Sequence, residues 1–303
     1  VGRLVRLELR GRSPVDAAAD LIRAAEAALA VDPIADYSRS QKKVIRPRFR
    51  SMIAATKDLA PKLAQGVEAM RAPFFARLGI AREAAGDDND TSAADLAKYL
   101  AAADAMTPTE LAQALRRSYE DLYDQGVAHV RLELRTAFDL PPTRALAALD
   151  DYALTFASDV ANAEKASLKA LIRQAFEDGL VLPELARDIR EHFDDGVHRI
   201  GRDGSERTVD VDAWSLMVAR TETARAQNAG TLDGYRSAGL SRVIWVTAND
   251  ERVCPICRPL DGAVADLGEP FPGTDFNAGP AHPNCRCTLV AYSDVTKSLA
   301  RAA

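Results

Sequence analysis

The sequence predicts a mainly α N-terminal body joined to a small C-terminal α+β module, and three observations predict it. The chain of 303 residues is 47% hydrophobic but only 6% aromatic, its apolar residues being chiefly Ala, Leu and Val, and Ala and Leu favour helix. Long segments repeat apolar side chains at helical spacing between recognisable start and stop residues. All four cysteines fall between Cys254 and Cys287, in a stretch with few large apolar residues of its own. The length suits two domains or more. The expected division is a helical region over 1–140, a long helix and linker over 141–210, and a compact module over 211–303.

Residues 1–10, VGRLVRLELR, alternate apolar and charged side chains and read as a half-buried strand. Ser13, Pro14 and Asp16 then form a capped helix start. That helix carries Ala18, Leu21, Ile22, Ala25 and Leu29 on one face and stops at Asp32-Pro33. Between Arg39 and Arg50 lie Arg39, Lys42, Lys43, Arg46, Arg48 and Arg50, with no acidic residue among them. Such a run either grips DNA phosphates or an acidic protein face, or is a solvated surface.

Residues 51–106 read as helix broken at Pro61 and Pro73, with a loop at Gly86–Asp90. Thr107-Pro108-Thr109-Glu110 opens a new helix, on which Leu111, Leu115, Tyr119 and Leu122 follow at helical spacing. Pro141-Pro142 marks a boundary. One long helix is expected from Thr143 to Glu177, roughly 50 Å if unbroken, with Leu149, Ala153, Phe156, Leu168 and Ile172 on its apolar stripe. Gly179 stops it, and Pro183 opens a shorter helix to Phe193. A polar loop should reach Asp210, and Asp212 should cap a helix carrying Trp214, Met217, Val218, Ala224, Leu232 and Tyr235. Gly239 ends that helix, and Val243–Thr247 is a β-branched and aromatic strand.

Net charge is −5, which disfavours wrapping nucleic acid over much of the surface. There is no apolar run long enough to span a bilayer and no secretory signal segment, so synthesis and assembly in the cytoplasm are expected.

The cysteines carry the chemistry. Cys254-Pro-Ile-Cys257 presents two sulfurs to one point, and His282-Pro-Asn-Cys285-Arg-Cys287 offers a second pair. Tetrahedral zinc needs two such pairs. The intervening loop is poor in large apolar side chains, and a metal would close it with a free energy on the order of 10 kcal/mol. Five candidate ligands stand for four positions, and a full set of protein donors makes the zinc structural rather than catalytic. The module is therefore an α+β zinc knuckle. Disulfides would require an oxidising compartment. A redox C-x-x-C would require a βαβ context. Buried thiols without metal are the remaining alternative.

Three segments in order, ARTETARAQNAG (Ala219–Gly230), IWVTANDERVCPICRPLDG (Ile244–Gly262) and HPNCRC (His282–Cys287), resemble the Mu F-like head-morphogenesis domain of tailed bacteriophages. The family pattern is an Arg-Thr/Ser-Glu helix, a strand ending in Asp, a C-x-x-C turn, a Leu-Asp-Gly and a final His-Pro-x-Cys-Arg-Cys. The likeness runs from about Leu154 to Tyr292. It implies a structural minor head protein rather than an enzyme, sited at the portal vertex of the virion and acting in head assembly and DNA packaging or delivery. Portal or capsid proteins would be its partners, with no membrane. Carried over by residue, the metal set is Cys254, Cys257, His282 and Cys285, with Cys287 in reserve. Arg220 and Glu222 match the helix motif without an evident role.

Two enzyme classes compete with that expectation. A zinc-dependent treble-clef nuclease needs a further histidine as general base, but His129, His192 and His198 all lie upstream of the cluster. An ADP-ribosyltransferase could use Arg220 and Glu222, yet its paired-Glu motif and Ser-Thr-Ser strand are missing, and residues at i and i+2 of a helix face apart. A DNA-binding knuckle is disfavoured by local charge, since Arg258 and Arg286 stand against Asp261, Asp266, Glu269 and Asp275.

Overall fold

The computed structural model describes residues 38–78, 93–135, 144–178, 182–200, 206–248, 253–293 and 296. The expected strand at 1–10, the helix at 13–31, the loop at 86–90 and Pro141-Pro142 lie outside them.

Six helices and two small antiparallel sheets run through the described residues, a mainly helical body with a small C-terminal sheet module, which is the fold class the sequence predicts. The helices are α1 (Arg39–Leu78), α2 (Ala93–Ala103), α3 (Thr109–Leu134), α4 (Arg144–Glu177), α5 (Leu182–Asp194) and α6 (Val211–Ser237). None is long and apolar enough to cross a membrane.

Helix α1 corrects the expectation of a broken segment, for it runs through Pro47, Pro61 and Pro73. Each interior proline removes a backbone hydrogen bond and costs about 3 kcal/mol. The opposing term is burial. Ile45, Leu59, Leu63, Val67, Met70 and Phe74 lie fully or almost fully inside, where α1 packs along α3 and α6. Apolar burial of that many side chains, at roughly 1.5–3 kcal/mol each, exceeds the proline cost.

Leu111, Leu115, Tyr119 and Leu122 of α3 are all buried, as their spacing predicts. At its start Pro108 is the N-cap residue and makes no side-chain cap bond. On α4, Leu149, Ala153, Ala157, Ala161, Leu168 and Ile172 form the buried stripe. The stretch expected as a polar loop before Asp210 is instead a hairpin of β1 (Val197–Ile200) and β2 (Glu206–Val209), paired Val197 to Val209. Val197 is wholly buried in the helical core, which fixes the register of this otherwise polar ribbon. Asp210, not Asp212, caps α6, its carboxylate accepting from the Ala213 N–H at 2.9 Å.

Helix α6 is buried around most of its circumference. Trp214, Val218 and Ala219 belong to the helical core, while Tyr235 belongs to the C-terminal cluster of Trp245, Phe271 and the cysteines. Its crossing with α3 is made by two glycines. A β-carbon on Gly126 would fall 2.1 Å from the Gln227 carbonyl oxygen, and one on Gly230 would fall 2.1 Å from that of Tyr123.

The second sheet has the order β4 (Val264–Asp266), β3 (Arg242–Val246), β5 (Thr288–Ala291), all antiparallel. Strand β3 alternates between two dry faces. Val243 and Trp245 face the cysteine-bearing loops, and Ile244 and Val246 meet Ile45 and Phe49 of α1.

Arg48 requires a correction. As a member of the basic run it is a candidate DNA contact, yet it is 1% exposed. Its guanidinium donates to Glu133 at 2.6 Å, to the Tyr235 hydroxyl at 2.8 Å and to Thr231 at 3.1 Å. The other carboxylate oxygen of Glu133 accepts from the Ala291 N–H of β5 at 3.1 Å. This buried pair ties α1, α3, α6 and β5 together, and nothing in the sequence of the run marks which of its six basic residues turns inward. Arg48→Gln should leave Glu133 buried without its cation and lower stability by about 3–5 kcal/mol. Lys43→Gln, on the exposed side of the same helix, should change denaturant unfolding by less than about 0.5 kcal/mol. Equal effects of the two changes would contradict the assignment.

Candidate metal centre

The metal-site geometry begins where β3 ends. Asp261 accepts from the Thr247 N–H at 2.8 Å and from its hydroxyl at 2.9 Å, and the Gly262 N–H donates to the Trp245 carbonyl at 2.9 Å. These bonds fold the loop back on the strand. Between them the Cys254–Cys257 turn closes with Cys257 N–H on the Cys254 sulfur at 3.3 Å and Arg258 N–H on the Cys254 carbonyl at 2.9 Å. A single 3-10 turn, Arg258–Leu260, follows. Phe271 anchors the long loop after β4, edge-on to Trp245 with ring centroids 5.2 Å apart. It gives this loop an apolar anchor that its composition obscured.

The second donor turn is set by Asn284, whose backbone is left-handed (φ 71°), a region that Asn enters more readily than most residues. It lets the Cys285 N–H reach the His282 carbonyl at 3.2 Å. All five expected donors then converge. Cys254, Cys257 and His282 form one group with donor atoms within 4.8 Å of one another, and Cys257, Cys285 and Cys287 form a second. Cys257 belongs to both.

This donor set fits zinc. Tetrahedral Zn–S and Zn–N bonds imply sulfur–sulfur separations of about 3.8 Å and sulfur–nitrogen separations of about 3.6 Å. Cys257 and Cys285 sulfurs stand 3.9 Å apart. His282 Nε2 is 3.0 Å from the Cys254 sulfur and 3.1 Å from that of Cys257. Coordination would spread these two by about half an ångström, within reach of side-chain rotation. The other imidazole nitrogen, Nδ1, faces the Pro283 carbonyl at 2.7 Å, the partner that orients a ligating histidine. The four cysteines are free thiols, and 3.9 Å is far from the roughly 2.05 Å of a disulfide.

Electrostatics favour ligation. Hydrogen bonding from Cys257, Cys287 and His282 drives the Cys285 thiol far down, towards thiolate. The same sharing pushes Cys257 and Cys287 up. Hydrogen bonding to Cys285 raises His282 to about 9. Metal ligation there would release the imidazolium proton together with the protons still held by the ligating thiols.

The remaining histidines stand apart. His129 lies on α3, lowered to about 4 by burial and the Arg48 charge. His192 of α5 and His198 of β1 stack on each other, ring centroids 3.7 Å apart. None joins the cysteine cluster among the described residues.

The helix motif now has roles. Glu222 faces the body, accepting from Tyr119 at 2.7 Å and from Arg225 at 2.9 Å. Arg220 faces the knuckle, its guanidinium on the Asn284 side-chain oxygen at 2.5 Å. The two residues do point apart, as their spacing predicts.

Comparison with known proteins agrees with this geometry. A family model described as Phage Mu protein F like protein matches residues 166–290, from the second half of α4 to the last strand. No curated protein and no solved structure matches the chain. Over residues 166–290 the chain is thus similar to the Mu F-like family of phage head proteins.

Proposed function

We propose that the chain is a structural minor head protein of a tailed bacteriophage, placed at the portal vertex and acting in head assembly and in DNA packaging or delivery. The observation that carries the reading is the family match over residues 166–290, joined to a convergent cysteine and histidine cluster. One zinc ion held by four of Cys254, Cys257, His282, Cys285 and Cys287 staples the C-terminal module. With protein donors in every position, that zinc supports the fold and leaves no site for an activated water. The acidic residue of the helix motif, Glu222, is buried among Tyr119, Arg225 and Tyr152, which suits packing rather than turnover.

The portal or a capsid protein is the partner. Contact with DNA or with an acidic face of that partner falls to the outward part of the basic run. Lys43 and Arg50 are exposed, and Lys42 and Arg46 are half-buried. Lys43 also borders a cleft with Arg135 and the exposed Leu132. Quantitative mass spectrometry and labelled electron microscopy of purified particles of the encoding phage test the reading. A few copies at one vertex are expected. Absence from the particle, or uniform decoration of the shell, would overturn it.

A further inference from the structure

We infer that one face of helix α6 is a positioning device for the metal centre, with Asn228 and Thr221 as its two working side chains. The inference rests on the zinc reading above and extends it to residues that donate nothing to the metal. Thr221 and Asn228 are seven residues apart and so lie on the same helical face. Asn228 is 2% exposed. Its amide nitrogen donates to the carbonyl of Cys287, itself a candidate ligand, at 3.2 Å, and to that of Gly279 at 3.3 Å. Its amide oxygen faces the Thr288 hydroxyl at 3.5 Å. One side chain thus clamps the end of the second donor segment to the loop that precedes it.

Thr221 holds the other end. Its hydroxyl donates to the Met217 carbonyl at 2.7 Å and accepts from the Asn284 N–H at 2.8 Å. Asn284 is the left-handed residue between His282 and Cys285, and Arg220 grips its side chain from the same helix. Asn tolerates that region, and backbone held there by neighbours relaxes when they are removed. The turn that aims His282 and Cys285 is therefore set by α6 before any metal arrives. Such outer partners raise metal affinity by holding the donors in place. By linkage, metal loading tightens the docking of α6 by the same factor.

Zinc affinity of the full chain, measured by competition with a chromophoric chelator, tests this together with the visible spectrum of the cobalt(II)-loaded protein. Asn228→Ala and Thr221→Val should each weaken zinc binding by about 10–100-fold and shift the cobalt bands. Thr221→Ser, which keeps the hydroxyl, should stay within a few-fold of the parent chain. Glu164→Gln serves as the control for lost stability, since it breaks the buried pair with Arg71 at 2.9 Å in the helical body. It should leave the zinc affinity unchanged. Parent-like affinity and spectra in both Asn228→Ala and Thr221→Val would overturn the inference while the zinc reading stands. An equal loss in Glu164→Gln would overturn it too, by showing general loosening. Should Asn228→Ala not fold, the Thr221 pair decides alone. A parent chain that binds neither zinc nor cobalt removes the zinc reading and this inference with it.

Discussion

Removing the metal with a strong chelator is expected to unfold the knuckle around Cys254–Cys287 and to leave most of the helical body standing. Zinc closure of such a loop is worth on the order of 10 kcal/mol, more than the whole stability of many domains. Against it the loops bring only a small apolar cluster of their own, in which Leu260 and Phe271 pack on Trp245. The two tryptophans report on the two halves separately. Trp214 sits in the helical core and Trp245 beneath the knuckle. In a Trp214→Phe chain, chelation should shift the remaining emission to the red, while far-UV circular dichroism keeps most of its helical signal. An unchanged Trp245 emission in metal-free protein would mean that packing alone holds the knuckle.

The second large effect belongs to the glycine crossing of α3 and α6. Gly230→Ala places a methyl group 2.1 Å from the Tyr123 carbonyl oxygen, and Gly126→Ala places one equally close to that of Gln227. The obstacle is helix backbone in both cases, so no side chain can turn aside. The helices must separate, and the cost should reach about 3 kcal/mol or more for each change. On an exposed helix the same replacement would be stabilising by up to about 1 kcal/mol. The sign is therefore diagnostic in thermal or denaturant unfolding. A stabilised Gly230→Ala chain would show that α6 does not pass α3 so closely.

The sequence announced elements whose cause is local. The apolar stripe of α4 and the β-branched run of β3 need only their own side chains to be recognised, and both appear where expected. The cysteine spacing likewise brought all five donors together. What stayed hidden depends on distant partners. Pro61 and Pro73 look like helix breaks until α3 and α6 cover the helix that contains them. Arg48 looks like its five basic neighbours until Glu133 and Tyr235, far along the chain, enclose it. The hairpin before α6 was illegible because its pairing depends on the burial of Val197 in a core built by other segments. Asn284 and Asn228 carry no signal in isolation, since an asparagine says nothing of which carbonyl or turn it serves.

The central place of α6 bears on how the chain folds as it is made. Helix α1 ends at Leu78 and α6 begins at Val211. At about 5–20 residues per second, synthesis of the intervening segment takes on the order of ten seconds. Throughout that interval the faces of α1 and α3 that will receive α6 remain uncovered, and Ile45 and Phe49 wait longer still for β3 and β5. A nascent chain in that condition exposes a long apolar groove and invites self-association or a chaperone. Closure across so wide a sequence gap also predicts slow folding for a largely helical protein. Synthesis at low temperature, or with holdase chaperones in excess, should therefore raise the soluble yield more than the helical content alone would suggest.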